Sequence, residues 1–185
     1  MYVPFNELPP DSRIWIYQAS LEFTAPEAEK IEAEIRQFVT QWSAHGKQLL
    51  ASGTLLHNRF VVLGTDEKSE MPSGCSIDSS VQFIRSLEAA FNASFFDRTQ
   101  LAFKQQDKII TMPLNRLKEG ISAGQVNPET LYFDNLVNRA ANLSGQWIKP
   151  AKESWLGKYF SHNTSQRLII RPFSRELMAE NPKAK

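Results

Sequence analysis

Cysteine is nearly absent: Cys75 is the single one in 185 residues. One cysteine cannot build an internal disulfide framework, and its scarcity fits a reducing compartment. Long hydrophobic runs are missing as well, since none approaches the roughly 18 apolar residues of a membrane span. The opening Met1-Tyr2-Val3-Pro4-Phe5-Asn6-Glu7 lacks the basic and apolar regions of a secretory signal. A cytoplasmic protein without a membrane partner is expected. Histidine is scarce too. His45, His57 and His162 share no short ligand spacing, and one cysteine cannot complete a structural zinc site, so no metal is expected. No other cofactor is indicated. Nor is there a charge surplus: a net charge of +1 argues against nucleic acid as a partner. Residues 1–95 carry 7 Lys/Arg and 12 Asp/Glu, whereas residues 96–185 carry 14 and 8. That asymmetry fits an acidic first helix and a basic tail.

What is present suffices for one folded domain. Hydrophobic residues make up 42% of the chain, and a chain of this length buries roughly 70% of its unfolded surface. Ile14-Trp15-Ile16-Tyr17 is a strand signal, rich in β-branched and aromatic side chains. Thr24-Ala25-Pro26-Glu27 has the spacing of a capping box and opens a helix whose stripe is Ile31, Ile35, Phe38, Val39 and Trp42. His45-Gly46 is the expected stop of that helix. Leu55 through Leu63 is expected to be one strand, and its run Phe60-Val61-Val62-Leu63 implies burial on both faces. A second helix carries Val81, Ile84, Leu87, Glu88 and Phe91, with Ser79 and Gln82 spaced as a further capping box. Leu101-Ala102-Phe103 and Ile109-Ile110-Thr111 flank a turn and predict a hairpin. A short helix over Pro113–Gly120, a strand at Tyr132-Phe133 and a last helix over Pro150–Phe160 complete the reading.

The fold expected is α/β, with a mixed α+β arrangement as the alternative. One sheet of about four to five strands is covered by helices in the order β-α-β-α-β-β-(α). Residues 1–160 form the domain, and residues 161–185 a polar, basic extension that is partly disordered. Within the extension, Leu168-Ile169-Ile170 is apolar enough to dock.

Ser73-Gly74-Cys75-Ser76-Ile77-Asp78-Ser79-Ser80 is the most distinctive segment. It follows a buried strand and opens a helix, the place where open α/β sheets tend to bind anions. Gly74 permits close approach, and Ser76, Ser79 and Ser80 add hydroxyls. The plainer account is that serine and aspartate are common caps. Cys75 at a helix start would have nucleophilic character, with His45 or His57 as its base and Asp78 orienting the base. A buried, inert cysteine is the plainer account there. Dithiol exchange is not expected, because Asp78 stands where a resolving cysteine would be.

Together with Tyr2-Val3-Pro4-Phe5-Asn6-Glu7-Leu8-Pro9, Gln41-Trp42-Ser43-Ala44-His45-Gly46 and Pro150-Ala151-Lys152-Glu153-Ser154-Trp155, the serine-rich segment resembles the motifs of a family of short bacterial proteins. Members of that family often carry the label "ABC transporter ATPase". The resemblance spans residues 1 to about 160, implies a bacterial protein and assigns no catalytic residue. The nucleotide-binding motifs are another matter. A P-loop needs G-x-x-x-x-G-K-[ST]. Gly46-Lys47 is followed by Gln48, and Gly157-Lys158 by Tyr159. Leu143-Ser144-Gly145-Gln146 is one glycine short of the ABC signature. ATP hydrolysis of the ABC type is not expected.

The leading expectation is therefore a protein that binds a small anionic ligand at the second helix start, through Gly74, Cys75, Ser76, Asp78 and Ser79. Arg59 is added because an arginine in an apolar strand seeks a counter-charge, and Trp155 as an aromatic neighbour. The alternatives are a cysteine-dependent enzyme using Cys75, His45 and Asp78, and an adaptor binding a protein partner. Oligomeric state is not readable from the sequence.

Overall fold

A computed structural model describes residues 1–161. These residues form a single mixed α+β domain. Its first half builds a three-stranded antiparallel sheet from β1 (Arg13–Gln18), β4 (Ala51–Leu56) and β5 (Phe60–Thr65), in the order β1-β5-β4. Helix α1 (Ala25–Gln41) carries the chain from β1 across to β4. A two-stranded ribbon, β2 (Ser43–Ala44) with β3 (Lys47–Gln48), intervenes between α1 and β4. Helix α2 (Gly74–Phe91) then leads to a second antiparallel sheet. That sheet comprises β6 (Gln100–Gln105), β7 (Lys108–Pro113), β8 (Leu131–Phe133) and β9 (Ile148–Pro150), in the order β7-β6-β8-β9. A short α3 (Leu117–Ser122) lies between β7 and β8.

The strands are thus shared among three antiparallel sheets, where one sheet of four to five strands was expected. The physical reason is the number of tight turns. Antiparallel neighbours need only a two-residue connection, and the chain makes such connections repeatedly. His57 (φ 52°) and Asn58 (φ 48°) are both left-handed, and Arg59 N–H donates to Leu56 O at 3.1 Å. This closes a primed turn inside the expected Leu55–Leu63 strand and folds it into the β4–β5 hairpin. His45 (φ 51°) and Gly46 (φ 79°) repeat the device between β2 and β3. Gly46 is left-handed as expected, but it turns a hairpin, and α1 has already ended at Gln41.

Helix α1 begins as its sequence indicates. The Thr24 amide donates to Glu27 Oε2 at 2.8 Å and the Thr24 hydroxyl at 2.7 Å. Those two bonds hold the Glu27 carboxyl below its ordinary pKa. Helix α2 opens within the serine-rich segment as expected, with Cys75 in its first turn, but a full turn before the Ser79–Gln82 capping box. Ser73, not Ser79, is its N-cap and accepts the Ser76 amide. The early start adds a turn that buries Ser76 against Trp42, whose Nε1 donates to Ser76 O at 2.8 Å. The β6–β7 hairpin and the Tyr132-Phe133 strand are present. The Pro113–Gly120 segment coils into a 3-10 turn followed by α3, and Pro150–Phe160 forms two 3-10 turns, not one α-helix.

Strand β5 is buried along its whole length, as its apolar run implies. Val61 and Leu63 join Ile31, Ile35, Val39, Ile84 and Leu87 beneath the two helices. Phe60 packs with Ala102 and Phe133 of the second sheet and with Trp147 just before β9, and Val62 with Leu8 and Ile14. A further core, including Leu101, Phe103, Leu117 and Leu156, lies on the outer side of the second sheet. The first sheet is therefore a middle layer, with helices on one face and the second sheet on the other. Among the described residues no helix is long and apolar enough to cross a membrane. His162, Leu168-Ile169-Ile170 and the rest of the basic extension lie outside the described residues.

Candidate functional site

The serine-rich segment spends its hydroxyls on its own helix. Ser76 Oγ donates to Ser73 O at 2.8 Å, Ser79 Oγ to Ser76 O at 2.8 Å, and Ser80 Oγ to Ile77 O at 2.6 Å. Ser76 and Ser80 are buried, and Gly74, Cys75, Asp78 and Ser79 are exposed. The cysteine is therefore a surface thiol, not a core filler. Cys75 and Asp78 share one helix face by their spacing, but no hydrogen bond joins either to His45 among the described residues. His45 is at the exposed β2–β3 tip. The exposed charge nearest in sequence to this helix start is the acid Asp78, which opposes an anion there.

Arg59 does not reach this place. It precedes β5, whereas α2 follows β5 and runs back over it, so Arg59 is beside the far end of the helix. Phe91 packs on Phe23 there at 5.9 Å, and Phe23 N–H donates to Asn58 O. An 18-residue helix spans about 27 Å. Arg59 is only 7% exposed, donates from Nη1 to Ala19 O at 3.2 Å, and leaves its Nε without a partner among the described residues. Burial lowers its pKa, with Glu22 opposing. It is a structural side chain that ties the β4–β5 turn to the end of β1.

Trp155 is in a different place again, and there the structure gathers polar and aromatic groups. A cleft of about 350 Å³ opens between the outer edge of β1 and the second sheet. Its walls include Tyr17, Gln18, Phe96, Arg98, Tyr132 and Trp155. Trp155 Nε1 donates to the Tyr132 hydroxyl at 3.2 Å, and Tyr17 meets Phe96 edge-on at 5.9 Å. Burial pushes the Tyr132 hydroxyl up to about 12, with the Asp134 charge adding and the Trp155 bond opposing. Burial also raises Tyr17, against the pull of Ser80 and the Arg98 charge. Both phenols are thus protonated at neutral pH and can donate a hydrogen bond.

The floor of the cleft is an ordered chain of amides. Trp147 Nε1 donates to Asn135 Oδ1 at 3.0 Å, Asn135 Nδ2 to Gln18 Oε1 at 2.9 Å, and Gln18 Nε2 to Gln100 O at 3.3 Å. Each link fixes the next amide, because reversing any one would set donor against donor. The rim carries charge of both signs, two arginines and one aspartate. Arg98 is exposed, Arg85 of α2 lies 5.0 Å over the Phe96 ring, and neither arginine enters an ion pair among the described residues. Asp97 is occupied by the Thr99 hydroxyl, the Thr99 amide and Gln100 Nε2, which hold its carboxyl below the ordinary range.

A broader hollow of about 700 Å³ runs along the exposed face of α1, lined by Glu29, Glu32 and Arg36. It opens broadly to solvent, and Gln37, Thr40, Gln41 and Asn58 also line it. Among the described residues, no group of three His, Cys, Asp or Glu side chains is placed to hold a metal ion.

No family model matches the chain, no curated protein matches it, and no solved structure matches it. Of the residues nominated from sequence, only Trp155 lines the cleft. Gln18 and Asn135 meet across 117 positions of chain. The one local signal for them is negative: a polar Gln18 at the end of an apolar strand, with no helix face or turn to explain it.

Proposed function

We propose that this is a binding protein whose cleft between β1 and the second sheet takes a ligand with an apolar body and an anionic group. The observation that carries the reading is the combination of aromatic walls, a fixed set of amides and Arg98 at the rim, which enters no ion pair among the described residues. Aromatic faces shed water from the ligand body, amides orient it, and a guanidinium supplies the charge-assisted bond. The anionic ligand expected from the sequence is kept in this reading, and its place moves from the α2 start to the cleft. Cys75 and Asp78 have no part in it.

The test is a thermal-shift and tryptophan-fluorescence panel of benzoate, phenylacetate, phosphate and sulfate, run on the wild type and on Arg98→Gln and Ser79→Ala. An aromatic carboxylate should raise Tm and alter the fluorescence, and Arg98→Gln should weaken both while Ser79→Ala leaves them intact. A ligand lost with Ser79→Ala and indifferent to Arg98→Gln returns the site to the helix start and defeats the reading.

A further inference from the structure

Resting on that reading of the cleft, we infer that the ligand is an extended acidic peptide, which adds to the open edge of β1 as a further strand. Backbone alternation carries the argument. In an antiparallel pair, residues whose amide and carbonyl bond one neighbour alternate with residues whose groups point away from it. Ala19 N–H donates to Arg59 O across the continuation of the β1–β5 pair, and Ile14 N–H points the other way, to Asn138 O at 3.0 Å. Odd-numbered residues of β1 therefore bond β5, and Ile14, Ile16 and Gln18 face outward.

The outward edge is filled only at its beginning. Ala140 N–H donates to Ser12 O and Asn138 O accepts from Ile14, with Arg13 bridging Arg139. Beyond that point, the amides of Ile16 and Gln18 have no hydrogen-bond partner among the described residues, and both residues line the cleft. The open stretch, Ile16 to Gln18, is three residues or about 10 Å long, enough to pair a three-residue segment. Such main-chain pairing gives affinity, and side-chain sockets at alternate positions give selectivity. Here the socket walls are Tyr17, Phe96, Tyr132 and Trp155, and the charges at the Gln18 end are Arg98, Arg85 over the Phe96 ring, and the ionised Asp97. Two guanidinium groups against one carboxylate leave a positive excess, which favours an acidic side chain on the peptide.

The experiment uses the full chain, 15N-labelled, with three capped pentapeptide pools randomised at four positions. One holds Glu at the centre, one holds Gln, and one holds Glu with N-methylated flanking amides. The Glu pool should shift the Ile16 and Gln18 amide resonances and the Trp155 indole, and bind about fivefold more tightly than the Gln pool. Arg98→Gln should remove that preference, and N-methylation should remove binding. Equal binding of the N-methylated pool, or shifts that leave Ile16 and Gln18 untouched, overturns strand addition. Shifts at those two amides that grow with protein concentration alone would assign the edge to a second copy of this chain, which also overturns it. If the pools fail while benzoate or phenylacetate still perturbs the cleft, the peptide is wrong and the cleft reading survives. If nothing perturbs the cleft, both fall.

Discussion

The two edges of the first sheet are treated differently. The outer edge of β4 is closed at both ends. Ala51 N–H donates to Met1 O, Val3 N–H to Ala51 O, and the Glu32 carboxylate accepts the Leu55 amide at 2.6 Å and the Thr54 hydroxyl at 3.0 Å. The outer edge of β1 is closed only at its start and then opens into a cleft. Unpaired edges invite adventitious strand pairing, so proteins cover them. This chain covers one with its own N-terminus and a helix carboxylate, and leaves the other exposed beside an ordered set of amides. The contrast teaches that the opening at β1 is a position where the fold's usual protection is withheld.

The largest way to break the contrast is through the strand both edges share. Phe60→Ala removes a ring stacked 4.7 Å from Phe133, and about 3–5 kcal/mol of stability should go with it in chemical denaturation. Next, Asn135→Ala cuts the amide chain at its middle and leaves the Trp147 indole without its acceptor. A loss of about 1–2 kcal/mol is expected, together with changed Trp147 fluorescence; an unchanged value would mean the amides are not a unit. Glu32→Ala frees the Leu55 amide and should cost about 1 kcal/mol. Its sharper readout is hydrogen exchange, with Leu55 becoming as fast as the unprotected β1 edge.

In the wild type, the Ile16 and Gln18 amides should exchange at least tenfold faster than Trp15 and Tyr17, whose amides bond β5. The smallest effect concerns His57, at the turn joining β4 to β5. Burial, followed by the Lys104 charge, lowers its pKa below 6.5, and its ring sits 5.4 Å from Phe133 and 5.6 Å from Trp147. The unfolded chain then takes up the proton first, so the stability held by neutral His57 is complete above about 6.5. It is lost as pH falls below that value toward the lowered native pKa. An NMR titration should give a midpoint under 6.5 that rises in Lys104→Gln.

The sequence and the fold agree where periodicity is strong and local. The α1 stripe, its Thr24–Glu27 start, the buried run of β5 and the β6–β7 hairpin are all visible in residues a few positions apart. The β4–β5 turn was hidden because His57-Asn58 lacks the glycine that usually marks such turns and apolar residues flank it closely. The α2 start was displaced because the Ser73–Ser80 run offers a cap at several positions, and only burial of Ser76 beneath Trp42 chooses among them. The cleft was illegible for a deeper reason. Its walls come from β1, the segment after α2, β8 and a late 3-10 turn, and nothing local tells Gln18 to expect Asn135.

A strand that is apolar on both sides, like Phe60-Val61-Val62-Leu63, carries little information about its own alignment. Slipped by one residue, it would still present hydrocarbon to both layers. Shape supplies what polarity omits. A methyl group at Gly64 would come within 2.6 Å of Leu8 Cδ2, and one at Gly53 within 2.6 Å of Ile35 Cγ2. A one-residue slip of β5 would bring Leu63 or Thr65 into the Gly64 slot, where Leu8 and Ile14 would have to move aside, so a missing methyl group there favours the observed alignment over its neighbours.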